Sequence, residues 1–123
     1  MTVTAAVMPM THAEFRKIAL RLPQATESAH MQHPDFRVAG KIFATLGYPD
    51  RSSGMVKLTA AQQVSAMAAH PRMFSRAAGA WGRRGSTIVT LPHATRAALR
   101  AALRQAWENS APKKLLASTA RAG

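Results

Sequence analysis

The apolar residues of this sequence follow a helical period near both ends of the chain and lose that period in between. Near the start, Thr11 is a good N-cap with Glu14 three residues later, and His12–Leu22 carries an apolar stripe. Near the end, Thr95–Asn109 carries a second stripe. The stripes consist of Phe15, Ile18, Ala19 and Leu22, and of Leu99, Ala102, Leu103, Ala106 and Trp107. This spacing predicts an amphipathic helix in each segment.

The middle of the chain has the composition of short β-strands. Between residues 26 and 58, runs of β-forming residues are interrupted by proline and glycine. Strands are predicted at Phe36–Val38, Lys41–Leu46 and Met55–Leu58. A tight Ala39-Gly40 turn joins the first two, which places Phe36 opposite Phe43 and Val38 opposite Lys41.

A second helix and two more strands follow. With Thr59 as its N-cap, a helix is predicted over Ala60–Ala69, with an inner face of Val64, Met67 and Ala68. Strands are predicted at Met73–Ala77 and Ser86–Leu91, joined by a glycine-punctuated loop at Gly79–Gly85. Helices mixed with several short strands predict the α+β class.

The chain has the size and composition of one globular domain. Its 123 residues, 47% of them hydrophobic, suffice to bury a core, and there is no cysteine for disulfides or zinc thiolates. No apolar run approaches the ~20 residues of a membrane-spanning helix. We expect a cytoplasmic protein without cofactor, and a monomer more than an oligomer. We also expect a flexible extension at residues 1–10, one domain at 11–117 and a flexible tail at 118–123.

Charge is the feature that bears most directly on function. Seventeen lysine and arginine residues face five aspartate and glutamate residues, a formal net charge of +12. Such an excess attracts polyanions, and nucleic acid is the commonest of these inside cells. A bacterial genome of high GC content would also enrich arginine and produce a similar excess without any partner.

The segment Trp81-Gly82-Arg83-Arg84-Gly85 is the sharpest candidate for a nucleic-acid contact. It combines an aromatic ring for stacking or wedging, two cations for phosphates, and glycines that permit close approach of the backbone. At a hairpin tip, Arg83 and Arg84 would form a DNA-binding wing. In the alternative interpretation, Trp81 anchors the loop in the core and both arginines are merely solvated.

Two further basic features accompany this segment. Arg37 and Lys41 flank the Gly40 turn and predict a second basic projection, although an amphipathic sheet edge explains them nearly as well. On the last helix, a ridge repeats every four residues, at Arg96, Arg100 and Arg104. Such a ridge is either a solvated face or a surface that lies against phosphates.

Other functions have weaker support in the sequence. His30, His33 and Asp35 offer ligand types for zinc or another divalent ion, but they match no established spacing. Ser28 with His30, or Ser86 with His93, lacks a nucleophile elbow and a visible orienting acid, so we predict that the protein is not an enzyme. A small-molecule or protein-binding adaptor, using the sheet or the Trp107 face, remains an alternative.

Several blocks of the sequence resemble the MmcQ/YjbR family of small bacterial proteins. In order, they are FRKIAL at 15–20 with Leu22-Pro23, HPDFRV at 33–38, GKIFA at 40–44, MVKL at 55–58, GAWGR at 79–83, Ala106-Trp107 and APK at 111–113. The resemblance implies a fold like that of the frataxin homologue CyaY, with a curved antiparallel sheet packed against the N- and C-terminal helices.

The resemblance also implies a double-wing DNA-binding arrangement, in which two β-hairpins flank a helical element. The wings would include Arg37 and Lys41 at the first turn, and the Trp81–Arg84 segment at the second. Frataxin-like proteins bind iron through an acidic ridge, for which Glu14 and Glu27 are too few. This departure argues against an iron-chaperone role.

Overall fold

The computed structural model describes residues 10–122, with side chains described to Ser118. This part of the chain contains a six-stranded antiparallel sheet and five α-helices, which confirms the α+β prediction. The helices are α1 (His12–Leu20), α2 (Ala60–Ala69), α3 (Gly79–Arg84), α4 (Arg96–Ser110) and α5 (Lys113–Ala122), with a 3₁₀ turn at Leu91–His93. The strands are β1 (Thr26–His30), β2 (His33–Val38), β3 (Lys41–Leu46), β4 (Ser53–Lys57), β5 (Phe74–Arg76) and β6 (Ser86–Thr90).

The strands lie in the order β1-β2-β3-β4-β6-β5, and every neighbouring pair is antiparallel. On one face, α1 and α4 contact each other, α1 packs against β3, and α4 packs against β3 and β4. The second helix packs against β5 and β6. Across residues 10–122, no helix combines the length and the apolarity that crossing a bilayer requires.

The core lies between this face and the helices. The predicted stripes pack there and are buried except for Leu22, which lies beyond the end of α1 and is half-buried. Phe15, Leu103 and Trp107 have no exposed surface. Burial of side chains of this size stabilises a fold by about 1.5–3 kcal/mol each. The indole Nε1 of Trp107 also donates a 3.0 Å hydrogen bond to the carbonyl oxygen of Pro23, which fixes the chain after α1.

The opposite face of the sheet is more open. Thr45, Met55 and Ile88 alternate along their strands with core residues and are only half-buried. Lys57 follows Met55 by two residues, so it lies on the same open face.

Three connections of the sheet lie at one of its ends, which we call the Trp81 end. They are the β2–β3 turn, the end of β4 at Lys57, and the β5–β6 connection that contains α3. The two predicted basic projections therefore lie at the same end of the sheet, on β3 and β6, which only β4 separates.

The register of the β2–β3 hairpin differs in part from the prediction. Val38 pairs with Lys41 as expected, but Phe36 pairs with Ala44 and not with Phe43. A β-bulge causes the shift, because it inserts Phe43 as an extra residue into β3. Both Phe43 and Ala44 are buried as a result.

Two elements at the margins of the fold were not predicted. The sequence of β1 is polar and every residue in it is exposed, as an edge strand permits, so it has no apolar alternation to detect. Beyond Pro112 the chain forms α5, a helix that the sequence analysis did not predict, and Leu115 and Leu116 pack against the core. The predicted extension at residues 1–10 lies almost wholly outside the described residues, and the domain boundaries remain predictions.

The inner face of α2 differs in part from the prediction: Met67 packs against the core as expected, but Val64 and Ala68 are exposed and the one fully buried side chain is polar. Val64 is 54% exposed, whereas Gln63 is fully buried and Met67 is half-buried. At the N-terminus, Thr59 and Gln62 form a complete capping box, with hydrogen bonds of 3.1 and 2.9 Å.

Candidate nucleic-acid interface

The predicted basic loop forms a short helix and not the tip of a β-hairpin. Strands β5 and β6 do pair, but α3 (Gly79–Arg84) connects them. Two glycines of the segment are closely packed: a Cβ on Gly82 would overlap the carbonyl oxygen of Ala77, and one on Gly85 would overlap that of Leu58. The glycines expected to admit a ligand to the backbone therefore admit another part of the same chain.

A buried glutamine holds α3 in place. The Nε2 of Gln63 donates hydrogen bonds to the carbonyl oxygens of Gly82 (3.0 Å) and Ser86 (2.9 Å). Its Oε1 accepts a 2.8 Å hydrogen bond from Nε of Arg76. These three bonds explain why a polar side chain is buried on α2, and they join α2, α3 and both strands flanking α3.

Trp81 projects from this fixed helix into solvent. It is 62% exposed, which contradicts the alternative that it anchors the segment in the core. The Nζ atom of Lys57 lies 5.7 Å from the centre of its ring, a cation–π distance. Arg83 and Arg84 occupy the last turn of α3 and are exposed. Within residues 10–118, neither arginine has an acidic side chain at ion-pair distance.

The other basic projection is the β2–β3 turn. Ala39 and Gly40 have φ angles of 52° and 80°, as a two-residue hairpin turn with left-handed central residues requires. Lys41 follows the turn, is exposed, and forms no ion pair in the part of the chain that the structure describes.

Arg37 is held against the sheet. Its Nε and Nη2 donate hydrogen bonds of 2.8 and 3.0 Å to the two carboxylate oxygens of Asp35, and Nδ1 of His30 lies 2.7 Å from one of them. Asp35 is fully buried. The hydrogen bonds from Arg37 are the largest influence on its carboxyl and lower its pKa; burial opposes this shift, and the bond from His30 adds to it. Arg37 is thus engaged in an internal ion pair, unlike the other four predicted contact residues.

Every acidic side chain of the sequence has partners within the fold. Besides Asp35, the ion pairs are Glu14 with Arg96, Glu27 with Arg16 and Glu108 with Arg104. Asp50 accepts hydrogen bonds from Ser52 and Ser53, which lower its pKa. Within residues 10–118, no acidic side chain lies at ion-pair distance from Lys41, Lys57, Arg83 or Arg84, the cations of the Trp81 end.

The histidine-based hypotheses are not supported by the geometry. His30 and His33 face each other across β1 and β2, but His30 bonds to Asp35, while the ring of His33 packs edge-on against Tyr48 at 5.6 Å. A search of the described residues finds no group of three side chains that could hold a metal ion.

The catalytic pairs considered from the sequence do not form in the described fold. Asp35 supplies the orienting acid that the sequence did not reveal for His30, but Ser28 makes no hydrogen bond to His30. Ser86 is the first residue of β6, whereas His93 lies beyond the other end of that strand, in the 3₁₀ turn. The Trp107 face considered for an adaptor is buried in the core.

Comparison with known proteins gives this fold a family. The YjbR family model matches residues 20–109, which include all six strands, α2, α3 and most of α4. The chain belongs to the YjbR family. No curated protein matches the sequence.

A solved structure supports the YjbR fold independently. The crystal structure of Deinococcus radiodurans protein DR2400, described as a DUF419 domain, is similar with a TM-score of 0.67. The two sequences are 17% identical, and the match covers 80% of this chain and 76% of that one. At this identity the similarity shows the fold alone.

Sequence reasoning missed one contributor to the Trp81 end of this YjbR domain. Lys57 belongs to β4 and lies 24 positions before Trp81 in the sequence, and only the pairing of β4 with β6 brings the two together. The sequence does place Lys57 two residues after Met55, on the open face of the sheet. Without the strand order, nothing in the sequence indicates that this lysine lies next to Trp81.

Proposed function

We propose that this protein binds nucleic acid, most directly DNA, through the Trp81 end of its sheet. The observation that carries the proposal is the exposure of Trp81, 62%, beside three cations that lack acidic partners in the described chain: Lys57, Arg83 and Arg84. An exposed indole flanked by cations matches the requirements of a base or sugar surface flanked by phosphates.

The exposure of Trp81 is itself informative. Large aromatic side chains bury 150–250 Å² when they pack and contribute strongly to cores and interfaces. Here α3 is fixed by Gln63 and two glycines, so the ring is presented by a rigid support. Stacking on a nucleic-acid base contributes about 1–3 kcal/mol to binding, which would offset the cost of leaving the indole exposed to water in the free protein.

The cations are spaced so that one nucleic-acid backbone could contact several of them. Lys41 and the α3 arginines are carried by β3 and β6, two strand spacings apart, or about 10 Å. In this arrangement the phosphate contacts determine affinity and do not read sequence. Arg37 retains three free N–H groups for a phosphate, but its ion pair with Asp35 makes it a weaker contributor.

A fluorescence titration tests the role of Trp81. The chain has two tryptophans, and Trp107 is fully buried. Duplex DNA added at about 50 mM salt should quench the intrinsic emission of the native protein, with affinity falling steeply as salt rises. In Trp81→Phe the remaining emission should not respond, while anisotropy of labelled DNA still reports weaker binding.

The arginines are tested by a matched pair of variants. Replacing Arg83 and Arg84 by alanine should weaken binding on every sequence and reduce the salt slope by about 2. Arg72→Ala is the control, because Arg72 is exposed and precedes β5 at the opposite end of the sheet. Equal losses per charge in the two variants would show a diffuse charge effect and refute the interface, as would undetectable binding of DNA by the native protein.

A further inference from the structure

The helices α1 and α4 enclose a groove on the side of the molecule away from the open sheet face. The groove has a volume of about 390 Å³. Five cations line it: Lys17, Arg21, Arg96, Arg100 and Arg104. Two apolar side chains, Ile18 and Leu22, complete its lining.

The cations form two rows with the same repeat. Arg96, Arg100 and Arg104 are four residues apart on α4, a rise of about 6 Å, so they project from one side of that helix. Lys17 on α1 and Arg21, its C-cap residue, are separated by the same interval, and Arg21 keeps a right-handed helical backbone conformation. Like charges at this spacing repel each other and destabilise an isolated helix. The rows face each other across the groove, which concentrates positive potential within it.

The protein neutralises only part of this charge. Arg96 Nη1 lies 2.8 Å from Glu14 Oε1, and Arg104 Nε lies 3.3 Å from Glu108 Oε2. Lys17, Arg21 and Arg100 have no acidic partner in the described part of the chain. Lys17 lies on α1, Arg21 is the C-cap residue just after it, and Arg100 lies on α4, so unneutralised charge is present on both sides of the groove.

We propose that this groove binds a small anion that carries several phosphate groups. Guanidinium groups pair with phosphate through two parallel hydrogen bonds, and two rows of cations require more than one anionic group to engage both. The volume of about 390 Å³ lies within the range of small-molecule sites.

The site is separate from the proposed nucleic-acid interface and does not depend on it. The groove is built on the helices that cover one face of the sheet, whereas Trp81 stands with Lys57 on the other. Variants of the two surfaces therefore distinguish failure of one proposal from failure of the other.

Calorimetry with inorganic tripolyphosphate tests the proposal, with orthophosphate as the comparison. At about 50 mM salt we expect one tripolyphosphate per chain, bound at least about tenfold more tightly than orthophosphate. Arg21→Ala and Arg100→Ala should each weaken it by about tenfold or more. The control Arg72→Ala, and the double variant of Arg83 and Arg84, should change it by no more than about twofold.

Two outcomes would overturn the site. Equal weakening by Arg100→Ala and Arg72→Ala would mean that tripolyphosphate senses only net charge. If short duplex DNA displaced tripolyphosphate, and Arg21→Ala weakened DNA binding as strongly, the groove would be part of a nucleic-acid surface and not a small-anion site. Both arginines are exposed and unpaired in the described chain, so circular dichroism of these variants should match the native protein.

Discussion

The guanidinium of Arg37 donates two hydrogen bonds, of 2.8 and 3.0 Å, to the carboxylate of Asp35 on the open face of the sheet. Asp35 is completely covered, while the side chain of Arg37 is 31% exposed and forms part of that cover. His30, from the edge strand β1, donates to the same carboxylate. The buried Asp35 thus connects β1 to β2. It also holds Arg37, which the sequence analysis predicted to contact DNA, in an internal ion pair.

We expect acid to destabilise the protein through Asp35. Hydrogen bonds from Arg37 hold the pKa of its carboxyl below the value of about 3.9 found in unfolded chains. The stabilisation is therefore complete above about pH 4 and is lost as pH falls through the lower, folded-state pKa. Urea unfolding of the native protein and Asp35→Asn should show a difference in free energy that shrinks below about pH 4. A difference that stays the same from pH 6 to pH 3 would contradict this.

Arg37 and Lys41 were predicted to act together in one basic projection, but we expect their replacement by alanine to have different effects on the stability of the fold. Arg37→Ala leaves the buried carboxylate without its main partner and should lower the free energy of unfolding by about 1–3 kcal/mol. Lys41→Ala should change it by less than about 0.5 kcal/mol, since Lys41 is exposed and unpaired in the described chain.

The variant Arg37→Lys sharpens this comparison. It keeps the charge but cannot form the two-pronged pair, so stability should fall while DNA affinity stays close to that of the native protein. The prediction is wrong if Arg37→Lys weakens DNA binding as much as Lys41→Ala does and leaves the unfolding midpoint unchanged.

Gly82 should be irreplaceable even by alanine. Helix propensity alone predicts that Gly82→Ala stabilises α3 by up to about 1 kcal/mol. Packing predicts the reverse, because the added Cβ would overlap the carbonyl oxygen of Ala77, and overpacking costs about 1–3 kcal/mol. Thermal unfolding decides the sign. Gly79→Ala is the matched control: nothing lies near its Cβ, and only the strain of its φ of 68° should appear.

The sequence predicts an element well where apolar spacing and burial coincide. The stripe of α4 is correct at Leu99, Leu103 and Trp107, because each apolar position faces the core. The same reasoning fails on α2, because Gln63 is buried there and forms three hydrogen bonds to groups that lie 13 to 23 residues away in the sequence. The spacing of apolar residues cannot predict the burial of a polar side chain whose hydrogen-bond partners belong to other helices and strands.

The site was predictable as residue types and not as an arrangement. Trp81, Arg83 and Arg84 were identified because they are close together in sequence. The neighbouring glycines were interpreted as making room for a ligand. They make room for the backbone of Ala77 and Leu58, which only the fold brings next to them. The β1 strand was missed because an exposed edge needs no apolar residues. The error at the glycines thus comes from contacts that are distant in sequence, and the error at β1 from the absence of any apolar pattern.

The β2–β3 turn should tolerate, and benefit from, a better turn residue. Ala39 adopts a φ of 52°, in the left-handed region that costs an ordinary L-residue about 1–2 kcal/mol, and asparagine occupies this region more readily. Ala39 is exposed, so Ala39→Asn loses no packing and should raise the free energy of unfolding by about 0.5–1 kcal/mol. Ala39→Val is the opposing control, because a β-branched residue is strained there and should lower stability. If both variants unfolded at the same urea concentration as the native protein, the turn would not have the left-handed geometry that positions Lys41.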